Sequence, residues 1–274
     1  MGYGRPGVPP GYAARPAERG DLIAVGELLQ AAEAADYGDS TLGADFVARK
    51  WGRPGFDPPT HAWVITDADV LIAYGEAFRE PGSTEVDTVG LVHPRHRGRG
   101  LRPLLVAWAE RRAADLWGRG NARTVVVQTA TATPDVEARE LLMSRGYRMV
   151  RSFFHMVIDL PPPTSTEPSP PTGVIFRSFV PGQDDAAAHQ TIGAAFRGSW
   201  GFRPQSFEEF RDGLVNRDVV PELSLMADQG GGLPVGVLLG AAMNDMGWVD
   251  ILAVLPSHRG RGIGSALLRA GFAR

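Results

Sequence analysis

Shifted by 162 residues, the chain lies on itself: Arg15 falls on Arg177, Gly20 on Gly182, and VHPRHRGRGLRPLL (92–105) on VLPSHRGRGIGSAL (254–267), with eight of those fourteen positions identical. A match of that density, at the same offset as the starts of the two copies, points to a duplicated unit rather than one large domain. The fold to be explained is therefore that of one unit, read twice.

Punctuation along the chain agrees. Residues 161–173 (PPPTSTEPSPPTG) can neither pair as strand nor continue as helix and read as a linker. Residues 1–14 are rich in Gly and Pro and read as a mobile tail, leaving a first unit at 15–160 and a second at 174–274. In the first unit the periodicity predicts helices at 21–35 and 44–51 and strands at 61–66, 70–79 and 84–92. A helix at 101–117, a strand at 124–129, a helix at 136–144 and a closing strand pair within 148–160 follow. The second unit repeats the order with strand 174–179, helices 184–196 and 207–216, strands 223–227, 235–242 and 248–254, and a helix from Ile263. Each copy reads as an α/β (α+β) unit, a mixed and mostly antiparallel sheet flanked by helices. At the 162-residue offset Arg274 corresponds to position 112, so counterparts of 113–160 are expected to be missing from the second copy.

Composition narrows the chemistry. With 43% apolar and 22% charged residues the chain can bury a core, and its formal net charge of −3 supplies no general field for a polyanion. Nucleic acid is not an expected partner, and an anionic ligand needs a local site. Cysteine is absent, which removes disulfides, thiolate metal ligands and a cysteine nucleophile together. The six histidines form no metal-spaced cluster, so no metal is expected, and His96 and His258 read as water-facing loop residues. No apolar stretch is long enough for a membrane span and no export signal is visible, so the expected location is the cytoplasm.

The local signal that carries chemistry is a strand followed at once by RHRGRGL (95–101) or SHRGRGIG (257–264) and then by a Leu-rich helix. Glycines there let backbone N–H groups face a ligand, and the helix start adds unpaired donors and a positive dipole end, a geometry suited to pyrophosphate. Arg97, Arg99, Arg259 and Arg261 would add charge-assisted bonds. A nucleotide P-loop needs Gly-Lys-Ser/Thr, which is absent, and a dinucleotide fingerprint needs a third glycine where Pro103 or Ser265 stands. A single-stranded nucleic-acid segment, or a plain turn with solvated arginines, stays open.

A strand ending Val-His-Pro or Val-Leu-Pro before R-x-x-G-x-G resembles motif A of the GCN5-related N-acetyltransferase superfamily, here in tandem. Ala138-x-x-Leu141-Leu-x-x-x-Gly146-Tyr147 resembles that family's A-x-x-L-Y-x-x-x-G-F segment, and Trp200 to Pro204 (WGFRP) is similar to a stretch of actinobacterial two-domain members. The resemblance implies acetyl-CoA as co-substrate, with its pyrophosphate cradled by the amides of Gly98, Arg99, Gly100, Leu101 and Arg102 in one copy and Gly260, Arg261, Gly262, Ile263 and Gly264 in the other. It implies that the strand ends Leu91–Val92 and Ala253–Val254 pair with the pantetheine arm and donate an N–H to the thioester oxygen, stabilising the developing oxyanion.

The attacking amine must lose a proton, and Asp250 is the candidate base, placed by alternation on one strand face with Trp248 and Val254. It reads equally as a structurally paired or solvated carboxylate. Thr88 is its expected match in the first copy, where no base is then evident. Two further departures fall in that copy: Leu142 where the family carries a tyrosine acid, and Arg102 where it carries Gly or Ala. The expected activity is transfer of acetyl to the primary amine of a small molecule. A non-catalytic acyl-CoA-binding or scaffold module and a protein N-acetyltransferase remain as alternatives, and monomer or homodimer is open.

Overall fold

The structure, a computed structural model, describes residues 7–40, 42–80, 83–117, 126–160, 169–216, 218–231, 233–243 and 246–274. The first six residues, most of the expected linker and the start of the expected 124–129 strand lie outside these. The chain divides into two compact units, 1–153 and 154–274.

In the first unit β1 (Tyr12–Pro16) leads through a short helical turn into α1 (Leu22–Tyr37), α2 (Ala44–Trp51) and the single-turn α3 (Pro58–His61). Then come β2 (Ala62–Asp67), β3 (Val70–Phe78), β4 (Glu85–Val92), α4 (Leu101–Trp117), β5 (Val126–Thr129) and α5 (Val136–Ser144). The sheet runs in chain order, β1 through β4 antiparallel and β5 parallel to β4. α4 closes one face over Trp63, Ile65, Val86 and Leu105, while α1 and α2 close the other over Trp51, Val64, Tyr74 and Phe78. Both faces being covered explains why β3 is buried almost throughout.

Two expectations fail here. Residues 12–14, read as tail, belong to β1, whose pairing Tyr12↔Asp67 through Pro16↔Trp63 makes it the sheet's first strand. Its sequence YAARP lacks the β-branched and aromatic density of a strand, and edge position is what tolerates its terminal proline. The strand pair expected in 148–160 is absent: the segment is irregular, with Phe153, Phe154 and Met156 at 76%, 84% and 86% exposure. Its alternation is that of a strand, and no ladder partner takes it up among the described residues.

In the second unit β6 (Ile175–Ser178), α6 (Asp185–Phe196), α7 (Phe207–Asn216), β7 (Leu225–Asp228), β8 (Gly236–Met243), β9 (Met246–Val254) and α8 (Ile263–Phe272) build a four-stranded antiparallel sheet in chain order. α6 and α7 pack one face through Ile192, Phe210, Val237 and Leu239; α8 packs the other through Leu238, Ile263 and Leu267. His155 packs its ring on Trp248 within this unit, centroids 5.0 Å apart.

The ladders refine the repeat. Val92 pairs with Ala73 and Val254 with Gly236, so β8 runs one residue ahead of the offset that the loops obey. Four steps along, Thr88 pairs with Ala77 and Val249 with Gly240, because β9 carries a bulge between Ile251 and Val249. The ladder therefore equates Thr88 with Val249, and Asp250 is an inserted residue with no counterpart in β4.

Candidate functional site

The two glycine loops have the same backbone. In each, a single helical turn (Pro94–His96, Pro256–His258) is closed by N–H bonds from His96 to His93 and from His258 to Leu255, both 2.8 Å. Gly98 and Gly100 then take φ of 72° and 77°, and Gly260 and Gly262 take 75° and 78°. A β-carbon at any of these four would meet no atom within 4 Å, so the glycines are required by backbone conformation, and the space in front of them is open. Among the described residues, no backbone carbonyl accepts from the N–H groups of Gly98, Arg99, Gly100, Gly260, Arg261 or Gly262. They stand at the N-termini of α4 and α8, whose first turns leave further donors unpaired. That is a cradle for a phosphate-bearing anion in both units.

The arginines divide their labour differently from expectation. Arg97 does not face the cradle: it holds both oxygens of Asp36 near the end of α1, at 2.6 and 3.0 Å. Arg259 binds the carbonyls of Val254 (3.2 Å) and Ala195 (2.5 Å), the latter near the end of α6. Both are loop anchors, one by an ion pair and one by capping carbonyls. Arg99 and Arg261 are exposed beside the glycines, Arg99 touching the Tyr12 hydroxyl at 3.2 Å.

His96 is a part-buried tether rather than a water-facing side chain, whereas His258 stays on the exposed side, as expected, while bonding its neighbours. His96 lies 3.2 Å from the Tyr12 hydroxyl and 3.9 Å from Asp67, and His258 lies 2.9 Å from Gln229, which occupies the place of Asp67 in the repeat. His93 feels the loop's charge: burial lowers its pKa first, and the neighbouring His96, Arg95 and Arg97 lower it further.

Behind the loops the units diverge. In the first, the β4–β5 ladder covers Glu85–Thr88 against Val126–Thr129 and stops, although β4 continues to Val92. The strands splay into a cleft lined by Val89, Gly90, Thr131, Leu142 and Tyr147. The Thr88 hydroxyl seals its inner end by donating to the Gln128 carbonyl at 3.0 Å. Arg102 enters this cleft from the first turn of α4, is 8% exposed, and donates to Asp135 at 2.5 Å. The other oxygen of Asp135 caps α5 through Ala138 N–H at 3.0 Å. Tyr147, which the sequence offered only as the last residue of a motif, shares the cleft with Leu142. Its phenol is held protonated by burial and then by Glu110.

In the second unit Gly264 stands where Arg102 does, and a β-carbon there would only touch Val254 at 3.5 Å. Leu91–Val92 and Ala253–Val254 end β4 and β9 at the loops, as expected. Asp250 is half-buried at the bulge. Simple alternation, which placed it with Trp248 and Val254, is broken there: Val249 packs with Leu252 and Val254 beneath α8. The bulge was not legible because no glycine or proline marks it. Among the described residues, no group of three or more His, Cys, Asp or Glu side chains could hold a metal, and no helix is long and apolar enough to cross a membrane.

Two copies of a sheet whose fourth strand runs into a glycine-lined helix N-terminus define an acyl-transfer class, and the sequence pattern of the acetyltransferase (GNAT) family matches residues 23–147 and 189–274. The chain belongs to this family of N-acetyltransferase enzymes. It is 33% identical, over 91% of its length and 78% of the relative's, to a mycothiol acetyltransferase of Kineococcus radiotolerans. To that of Streptomyces avermitilis it is 30% identical over 76% of its length, a match spanning 65% of the relative. Among solved structures it resembles a GCN5-related N-acetyltransferase from Sphaerobacter thermophilus, with TM-score 0.79, 31% identity and coverage of 97% and 83% of the two chains. A tandem GNAT protein of the clavulanic acid biosynthesis pathway shares the fold at TM-score 0.64 and 18% identity, covering 95% and 84%.

Proposed function

We propose that this chain transfers an acetyl group from acetyl-CoA to the primary amine of a small molecule, and that the second unit carries the chemistry. The observation behind this reading is the run of β9 in that unit: a bulge bearing a carboxylate, a strand end, a glycine cradle and an unobstructed helix start. The amides of Gly260 through Gly264, with the dipole of α8, would hold the pyrophosphate. Ala253 and Val254 would pair with the pantetheine arm and aim an N–H at the oxygen that gains charge. Asp250, directly or through water, would take the proton of the attacking ammonium. Acetyl-CoA supplies the activated acyl group, and the protein supplies position, charge and a proton acceptor.

The likeness to proteins named mycothiol acetyltransferase supports a small-molecule acceptor of that chemistry over a protein lysine or N-terminus. The splayed cleft of the first unit, with Arg102 in it, favours a scaffolding role for that unit. Because the chain has no cysteine, a thiol reagent reads released CoA without background from the protein. Acetyl-CoA with a panel of amines should release thiol in proportion to acetylated product, at a rate set by the acceptor. No thiol release with any amine, although acetyl-CoA binds, would leave a binding module as the function.

A further inference from the structure

Arg102 is a cation nine-tenths buried in the cleft that a cofactor arm would thread. Its guanidinium reaches Asp135 at 2.5 Å, and its side chain and that of the aspartate are 10% and 6% exposed. Asp135 is held in turn, since its second oxygen caps α5 at Ala138. The pair thus ties the first turn of α4 to the first turn of α5, the two helix starts that flank the open ends of β4 and β5. The cavity left around it is about 30 Å³, room for little more than a water molecule. A ligand entering there must displace the guanidinium and leave Asp135 facing α5 without its counter-charge, and splitting a buried pair is far costlier than never making it. The Nε of Arg102 is buried without a hydrogen-bond partner, so the side chain sits where packing and Asp135 hold it, with no spare contact. The second unit has Gly264 at the equivalent point of α8, with nothing to reach across.

Building on the acyl-CoA reading of the glycine cradles, we infer that the Arg102–Asp135 pair is a latch that shuts the first unit's cleft to acyl-CoA, although its cradle is fully formed. The first unit is a closed copy, and an acyl-CoA taken up by the chain is held by the second.

The test is calorimetric titration of acetyl-CoA into the parent chain and into the Arg102→Gly, Asp135→Asn and Gly264→Arg variants, with thermal melts reporting folding. Arg102→Gly should bind one equivalent more than the parent. Asp135→Asn keeps an effective cap on α5 while releasing the guanidinium, and should move the same way, which covers a failure of Arg102→Gly to fold. Gly264→Arg should lose whatever the parent binds. Equal stoichiometry in the parent and the two latch variants would overturn the inference, as would weaker binding in Arg102→Gly, since Arg102 would then be a ligand for the anion. A parent that binds nothing, alongside a gain in Arg102→Gly, would sink the reading of the second unit while leaving the latch standing.

Discussion

Arg97 grips both carboxylate oxygens of Asp36, 61 residues away, with a two-pronged fork at 2.6 and 3.0 Å. The arginine that opens the R-x-x-G-x-G pattern thus fastens the loop to α1 instead of facing a ligand. Arg97→Ala should destabilise the first unit by about 1–2 kcal/mol, the lower part of the range for charged hydrogen bonds because the pair is partly exposed. Arg97→Lys should recover less than half, having no fork. Thermal melts decide; an unchanged transition in both variants would mean the loop holds its shape without the anchor.

Asp250 is the second expectation. Asp250→Asn keeps size and polarity at the bulge but cannot accept the ammonium proton, so turnover should fall roughly 10²- to 10⁴-fold while acetyl-CoA affinity holds. Rate and affinity measured together separate base from bystander: undiminished turnover would assign the proton to another acceptor.

Gly262 caps α8 at φ 78°, and any β-carbon there puts the residue in the left-handed region. Gly262→Ala should cost about 1–2 kcal/mol of stability and reduce acetyl-CoA affinity as well, because the cradle amides turn with it. Loss of stability with affinity intact would show that the cradle is not the anion site.

Acid should unfold both units by the same sign of linkage. Burial pushes the Glu76 carboxyl up, but Lys50 at 3.3 Å, Arg53 at 2.6 Å and the Tyr74 hydroxyl at 2.8 Å bring it below its ordinary value. Asp184 is likewise raised by burial and brought lower by the two bonds from Arg177 and by the Val180 N–H. A carboxylate depressed by folding adds stability above its unfolded pKa and loses it as pH falls through the folded one. The melting temperature should therefore be flat near neutrality and drop below about pH 4. Asp184→Asn should melt lower than the parent at pH 7, and the gap should close as pH falls through the lowered pKa of Asp184. A gap independent of pH would show that Asp184 acts by packing alone.

Most of the fold could be read because its elements obey simple periods. α2, α4, α5 and α7 fall where apolar spacing put them, and the two glycine loops were fixed by a motif that occurs twice. What could not be read depended on contacts made at a distance. β1 is a strand because β2 pairs with it, although β6, its partner in the repeat, was legible by its own sequence. Segment 148–160 alternates like a strand, but alternation needs a neighbouring edge to become a ladder. The roles of Arg97 and Arg259 hinge on Asp36 and on the Ala195 carbonyl, neither of which lies near them in sequence. Gapless alignment concealed the insertion at Asp250, since the stretch from Gly240 to Val249 is two residues shorter than that from Ala77 to Thr88, which together with the one-residue advance of β8 restores the offset by Val254.

That insertion makes the difference between the two sheets one of count rather than of kind. No substitution at position 250 can turn β9 into a copy of β4, whereas deleting the residue would rejoin Val249 to Ile251, keep Val249 opposite Gly240 and leave an unbroken ladder like that of β4. The converse edit, one residue added between Thr88 and Val89, would give β4 the kink it lacks. The two units differ here as a ruler does from one with an extra tick, and their chemistry can be exchanged only by changing the length of a strand.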